Sequence, residues 1–238
     1  MLDHPLQRKP FYLIVGSFKS GTTWLQKLLN AHPKICSQGE AWFFDNLLAY
    51  INLAVDKYSK EKMPGINQLQ PSQVNNIFKN TMYEYIANWP GQDEAKCIVE
   101  KTPNNSFKLP LIKEILPNVK IIHIVRDGRD VVTSSWFHQF RDKPAWFKKY
   151  ENNFTDFVEY WTSEIWMKAN KKCLDFKNLH PEDYLSIRYK DLIADPIETL
   201  GHLVSEMGIE SSEEQNKNCL EFASFEKLSK GRKSGEED

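Results

Sequence analysis

Short apolar runs alternate along the chain with longer stretches whose apolar positions recur at helical spacing. Phe11 to Val15 (FYLIV), Cys97 to Glu100, Val119 to Val125 (VKIIHIV) and Tyr184 to Tyr189 read as strands. The VKIIHIV run is almost wholly apolar, as suits a strand covered on both faces of a parallel sheet. Between the first two runs, Trp24, Leu25, Leu28 and Leu29 lie at helical spacing within residues 22–30, and His32-Pro33 stops that helix. Residues 41–55, 111–116, 130–140, 154–176 and 196–207 are further predicted helices, the last with Pro196 in its first turn. This alternation predicts an α/β fold, a doubly wound parallel sheet flanked by helices and joined by right-handed crossovers. Ligands of such sheets bind beyond the carboxyl ends of the strands. With no internal repeat and no long linker, residues 1–238 are expected to form one domain. Pro64-Gly65 and Pro90-Gly91 mark surface turns, and residues 229–238 are expected to be a disordered, charged tail.

Composition narrows the function. The 238 residues are 41% hydrophobic and 13% aromatic, enough for a sizeable core. The 31 lysines and arginines balance 32 aspartates and glutamates, which argues against non-specific nucleic-acid binding and makes any anion site a local feature. The cysteines, Cys36, Cys97, Cys173 and Cys219, are scattered without a CxxC pair, so neither a zinc cluster nor a disulfide framework is expected. The amino-terminal residues are polar, and FYLIV is too short for a signal or membrane segment. The expectation is a soluble cytoplasmic protein with no membrane partner.

Two strand exits carry chemistry. Gly16-Ser17-Phe18-Lys19-Ser20-Gly21-Thr22-Thr23 follows a strand and opens a helix, where backbone N–H groups and the helix N-terminus favour an anion. Lys19 adds a full charge, Ser20, Thr22 and Thr23 add hydroxyls, and Gly21 allows close backbone approach. Gly16 and Gly21 have the spacing of a nucleotide P-loop, but Thr22 stands at the lysine position, and no strand ends in a metal-holding aspartate. The loop is thus expected to grip phosphate without metal. At the second exit, Arg126 leaves VKIIHIV, Asp127 can cap the next helix, and Ser134 follows eight residues after Arg126. An arginine fork and a serine hydroxyl suit a phosphate monoester, although alone the segment reads equally as a capped helix with a surface arginine. Together the two exits imply a ligand with phosphate at both ends.

These segments resemble the sulfotransferases of the P-loop-like superfamily, which use 3'-phosphoadenosine 5'-phosphosulfate (PAPS) and leave its bisphosphate product, PAP. FKSGTTW, with Trp24 closing it, resembles the family's 5'-phosphosulfate loop, with Phe18 in place of the frequent proline or arginine. RDGRDVVTS resembles the 3'-phosphate motif. RYKDLIADP resembles the segment whose tyrosine lies near the adenine, which maps to Tyr189, and Ser224-Phe225 resembles a late segment whose aromatic ring stacks near it. The resemblance runs from about Phe11 to the last residue and implies PAPS as cofactor, no metal, and Lys19 beside the transferring group. Where phenol and steroid sulfotransferases carry a histidine base, Pro103 stands in Glu100-Lys101-Thr102-Pro103. AHPKICSQGEAWFFD instead is similar to the heparan-type enzymes, a branch that with the tyrosylprotein enzymes uses a glutamate base. That implies Glu40 as base, and Glu100 to Pro103 (EKTP), which also resembles the heparan-type enzymes, implies Lys101 as a second stabilising charge. His138 is the rival base, and His123, in an apolar strand, is read as structural.

Many relatives continue into a segment that closes over the 3'-phosphate, and Arg232 and Lys233 stand where part of that role would fall. The family's frequent dimerisation carries over as an expectation of a homodimer. An acceptor pocket is expected from residues 41–63, 136–146 and the helix carrying Trp161 and Trp166, with aromatic walls suited to a small hydroxylated metabolite or a glycan. The alternatives are a degenerate, non-catalytic PAP-binding module and an ATP-dependent small-molecule kinase, the latter lacking the P-loop lysine.

Overall fold

The structure is a computed structural model that describes residues 4–62 and 69–224. Five parallel strands form its sheet: β1 (Phe11–Val15), β2 (Ile35–Ser37), β3 (Cys97–Lys101), β4 (Lys120–Val125) and β5 (Tyr184–Arg188), in spatial order β2-β3-β1-β4-β5. The first strand is central, with Leu13 beside Glu100 on β3 and Ile121 on β4. Every β1 residue is buried because the sheet is covered on both faces. Phe11, Leu13 and Val15 enter one hydrophobic cluster, while Tyr12 and Ile14 enter another.

The Tyr12 face receives α1 (Thr22–Asn30), α9 (Pro196–Glu206) and α10 (Glu213–Phe222) through Leu25, Leu28, Leu200, Leu203 and Cys219. The opposite face receives α3 (Pro71–Ile86), α4 (Leu109–Ile115) and α7 (Lys168–Leu179) through Phe78, Met82, Ile112 and Phe176. A third, aromatic cluster joins α5 (Gly128–Asp142) to α6 (Phe154–Tyr160) and the wide π turn after it (Trp161–Met167). Short α8 (Tyr189–Ala194) follows β5 directly, and α2 (Leu48–Lys62) leaves the body with only Leu48 buried.

The predicted strands and the helix at 22–30 match the structure, but four elements lie outside the predicted set: β2, α3, α8 and α10. The three residues of β2, ICS, are too few to display a period. The expected helix at 41–55 differs in a useful way. Its chain first passes through Trp42 in the left-handed region (φ 52°), then a π turn over Phe43–Leu47, and becomes α-helical only at Leu48. Pro90-Gly91 lies in a turn, with Gly91 at φ 78°, whereas Pro64-Gly65 and the tail at 229–238 lie outside the described residues. No helix among the described residues is long and apolar enough to cross a membrane.

Candidate active site

Each of the five strands ends in a predicted site residue. Lys19 follows β1, Glu40 follows β2, Lys101 ends β3, Arg126 follows β4 and Tyr189 follows β5. A parallel sheet aims all its carboxyl ends the same way, so distant parts of the sequence meet at one edge.

The loop after β1 is built for close approach. Gly16 sits at φ 150°, and a Cβ there would lie 2.5 Å from the carbonyl oxygen of Ile124. Lys19 takes a left-handed conformation (φ 67°), uncommon for a lysine and held by its surroundings. Gly21 (φ 92°) is the N-cap of α1 and supplies no side-chain acceptor to the first-turn amides. That leaves the helix N-terminus to an external anion. Ser20 and Thr22 are buried, while Thr23 is exposed at the helix start.

Lys101 is 3% exposed, and its ammonium lies 2.6 Å from a Glu40 carboxylate oxygen and 3.2 Å from the Thr23 hydroxyl. One lysine therefore joins the predicted base to the phosphate loop. Glu40 keeps about a third of its side chain exposed, so its carboxylate stays open to solvent.

Arg126 serves the opposite side of the loop. Its Nη1 donates to the Lys19 carbonyl at 3.1 Å, and its guanidinium carbon stands 4.5 Å from the centre of the Tyr189 ring. The Arg126 Nε is buried without a hydrogen-bond partner, a donor suited to an incoming acceptor oxygen. Tyr189 meets Trp24 edge-on at 6.0 Å, and Trp24 Nε1 donates to the Ala223 carbonyl at 3.2 Å. Of the predicted adenine-side residues, Tyr189 thus adjoins Arg126, and the half-buried Ser224 follows Ala223, the partner of Trp24. Ser134 is half-buried on α5, and no hydrogen bond among the described residues joins it to Arg126. Phe225, Arg232 and Lys233 lie outside the described residues.

His123 is buried between the Tyr184 hydroxyl (2.8 Å) and the Asn170 side chain (3.0 Å), and burial lowers its pKa to about 4, so it is neutral. The rival base His138 lies on α5 with Asp142 at 3.5 Å and Arg141 at 2.8 Å. Asp127 caps α5 through the Arg129 amide (2.9 Å), and its bonds to Arg129 hold its carboxyl at about 2.

The expected acceptor wall needs correction at the π turn. Trp161 is 5% exposed and stacks on Phe157 at 5.2 Å, and Trp166 donates to the Arg126 carbonyl at 3.0 Å and packs on Gly128. Trp161 is thus committed to the aromatic core, while Trp166, half-buried, both braces the start of α5 and lines a pocket with Val132, Thr133 and Phe154. Two residues absent from the sequence expectations also shape the site. Ser106, fully buried, accepts the Gly16 N–H at 2.9 Å and donates to the Pro103 carbonyl at 2.8 Å, tying the β1 exit to the β3 exit. Glu100, fully buried, accepts three hydrogen bonds beneath the Glu40 loop. Ser106 lies in no motif, and Glu100 opens Glu100-Lys101-Thr102-Pro103 only as the neighbour of Lys101, so neither was singled out.

Known proteins share this architecture. A mouse sulfotransferase solved with PAP superposes with a TM-score of 0.61 at 19% identity, covering 97% of this chain and 70% of its own. Protein-tyrosine sulfotransferase A of Caenorhabditis elegans is 26% identical over 230 residues, which is 87% of this chain and 57% of its own length. The omega-hydroxy-beta-dihydromenaquinone-9 sulfotransferase of Mycobacterium bovis is 26% identical over 150 residues, 63% of this chain and 38% of its own. The chain spans 25% to 57% of the lengths of the first curated relatives it matches. The sulfotransferase family model matches residues 10–213, the stretch that holds every strand and all five strand-end residues, and the chain belongs to the sulfotransferase family.

Proposed function

We propose that the protein transfers the sulfonate group of PAPS to an acceptor hydroxyl, giving a sulfate ester and PAP. The observation that carries this reading is the Glu40–Lys101–Thr23 chain of contacts, which sets a carboxylate and a buried cation beside an uncapped helix N-terminus. The residues fit the cofactor: first-turn amides and Lys19 at one end, Arg126, whose Nε makes no hydrogen bond and lies 3.9 Å from Asp130, at the other, and Tyr189 and Trp24 between. PAPS supplies an activated sulfonate with a nucleotide bisphosphate as leaving group.

Glu40 accepts the proton of the acceptor hydroxyl as its oxygen attacks in line. Lys19 and Lys101 place positive charge where the leaving phosphate gathers negative charge. In the structure Lys101 is paired with Glu40, so its ammonium must turn toward the incoming anion as the carboxylate is freed for the acceptor. A small hydroxylated metabolite or a glycan is the proposed acceptor class. A cytoplasmic setting is proposed on the four free, buried cysteines.

The test is incubation with labelled PAPS and a cell extract, with the product identified by mass spectrometry. Glu40→Gln should bind PAP as the wild type does and lose turnover by orders of magnitude. Turnover near the wild-type rate in that variant would pass the role to another group, His138 first. PAP binding without transfer to any acceptor would support a non-catalytic nucleotide-binding module.

A further inference from the structure

Glu100 lies at the end of β3, one residue before Lys101, and has no exposed surface. One carboxylate oxygen accepts the Ala41 N–H at 3.2 Å and the Thr102 hydroxyl at 2.5 Å; the other accepts the Asn105 side-chain amide at 2.8 Å. The Thr102 hydroxyl, its proton committed to Glu100, accepts the Trp42 N–H at 3.3 Å. The two backbone amides that follow Glu40 are therefore both held by this carboxylate, one directly and one through Thr102. They hold a strained stretch: Trp42 sits in the left-handed region, which a bulky residue adopts only when its surroundings hold it there, and the chain enters its π turn one residue later.

A buried carboxylate is expensive unless it is fully hydrogen-bonded. An apolar side chain would fill the same space at the end of a sheet strand without that cost. What the carboxylate adds is acceptor capacity aimed at residues 41 and 42. We infer that Glu100 is a positioning residue for Glu40: its carboxylate fixes the backbone of Ala41 and Trp42 and so aims the neighbouring side chain at Lys101 and the phosphate loop. The charged group acting on it is Lys101, which itself touches Glu40. The inference rests on the sulfotransferase reading, because that reading gives Glu40 a reaction to perform.

The geometry supplies a polarity test. Glu100→Gln keeps the shape and one acceptor oxygen, but it sets an NH2 group against the Asn105 NH2 unless the Asn105 amide turns over, which buries that NH2 where its partnerless Oδ1 now lies. The double variant Glu100→Gln/Asn105→Asp restores a donor facing an acceptor, with amide and carboxylate exchanged. The experiment compares wild type and both variants for PAP affinity, for transfer of labelled sulfonate from saturating PAPS into the same cell extract, and for hydrogen exchange at Ala41 and Trp42. Glu100→Gln should bind PAP within about twofold and transfer about a hundredfold more slowly, the usual effect of misplacing a reacting group by about 1 Å. Its two amides should exchange faster, and the double variant should recover most of the rate. Transfer by Glu100→Gln at the wild-type rate overturns the inference while leaving the reaction standing. Parallel loss of PAP affinity and rate, without recovery in the double variant, overturns it in favour of a purely structural role. If Glu100→Gln fails to fold, the rate of the double variant decides between these outcomes. A wild type that transfers no label removes the reaction itself, and the inference with it.

Discussion

Replacing Gly21 with alanine tests whether the loop after β1 and the arginine after β4 act as one clamp. The residue has φ 92°, and a Cβ there would fall 2.5 Å and 2.6 Å from two carbons of the Tyr189 ring. The left-handed backbone alone costs an alanine roughly 1 kcal/mol or more. The ring cannot yield freely, because Arg126 covers its face and Trp24 meets its edge. Forcing a methyl into such packing typically costs about 1–3 kcal/mol. The sum, about 2–4 kcal/mol, should lower the melting temperature by roughly 4–16 °C for a chain of this size. The displaced ring takes Arg126 with it, so PAP affinity should fall further than stability predicts. Gly21→Ala/Tyr189→Ala separates the two effects, since it removes the clash and keeps the φ strain. Differential scanning calorimetry, with and without PAP, reads both. A Gly21→Ala protein melting within about 1 °C of wild type and stabilised equally by PAP would refute the reasoning.

Arg126→Ala should weaken PAP binding by about 10–100-fold, the worth of a charge-assisted hydrogen bond, and make the affinity less salt-dependent. Titration calorimetry at two salt concentrations checks this, and an unchanged affinity would remove Arg126 from the clamp. Ser106→Ala leaves the buried Gly16 N–H without its acceptor and should cost about 1–3 kcal/mol, measured as a lower urea midpoint. Stability should also depend on pH through Glu100, whose carboxyl burial raises from 4.5 to about 7 against the pull of its hydrogen bonds and Lys101. The folded chain then keeps a proton that the unfolded chain releases, so this contribution is complete below pH 4.5 and is lost as pH rises to about 7. On the order of 3 kcal/mol is at stake, and the stability difference between wild type and Glu100→Gln should shrink by that order between pH 4.5 and 7. A difference constant across that range would contradict the raised value.

The strands and the phosphate loop were legible because local physics specifies them. The apolar runs of β1 and β4 need cover on both faces, and a glycine loop between strand and helix has few other uses. Glu40 and Lys101 were accessible only through the resemblance of their motifs. Their contact is a property of β2 lying beside β3, and β2 is too short to announce itself. Glu100, Thr102 and Asn105 are ordinary in sequence, and their cradle exists only once the chain after β3 turns back under residues 41 and 42. The aromatic residues misled for the opposite reason. Trp161 has the composition of a pocket wall, but burial in the aromatic cluster claimed it first, whereas Trp166 keeps a face on a pocket.

That the five strands each end in one predicted site residue has a consequence for how the protein assembles. No contiguous piece of the chain owns the binding surface, so a partly formed sheet presents only fragments of it. A ligand that spans these strand ends recognises the finished topology and discriminates against every intermediate on the way. Its binding energy is then added in full to the native state, about 2.7 kcal/mol at a hundred times its dissociation constant. In a cell holding such a nucleotide, the small molecule would act as a template that selects correctly assembled chains from misregistered ones.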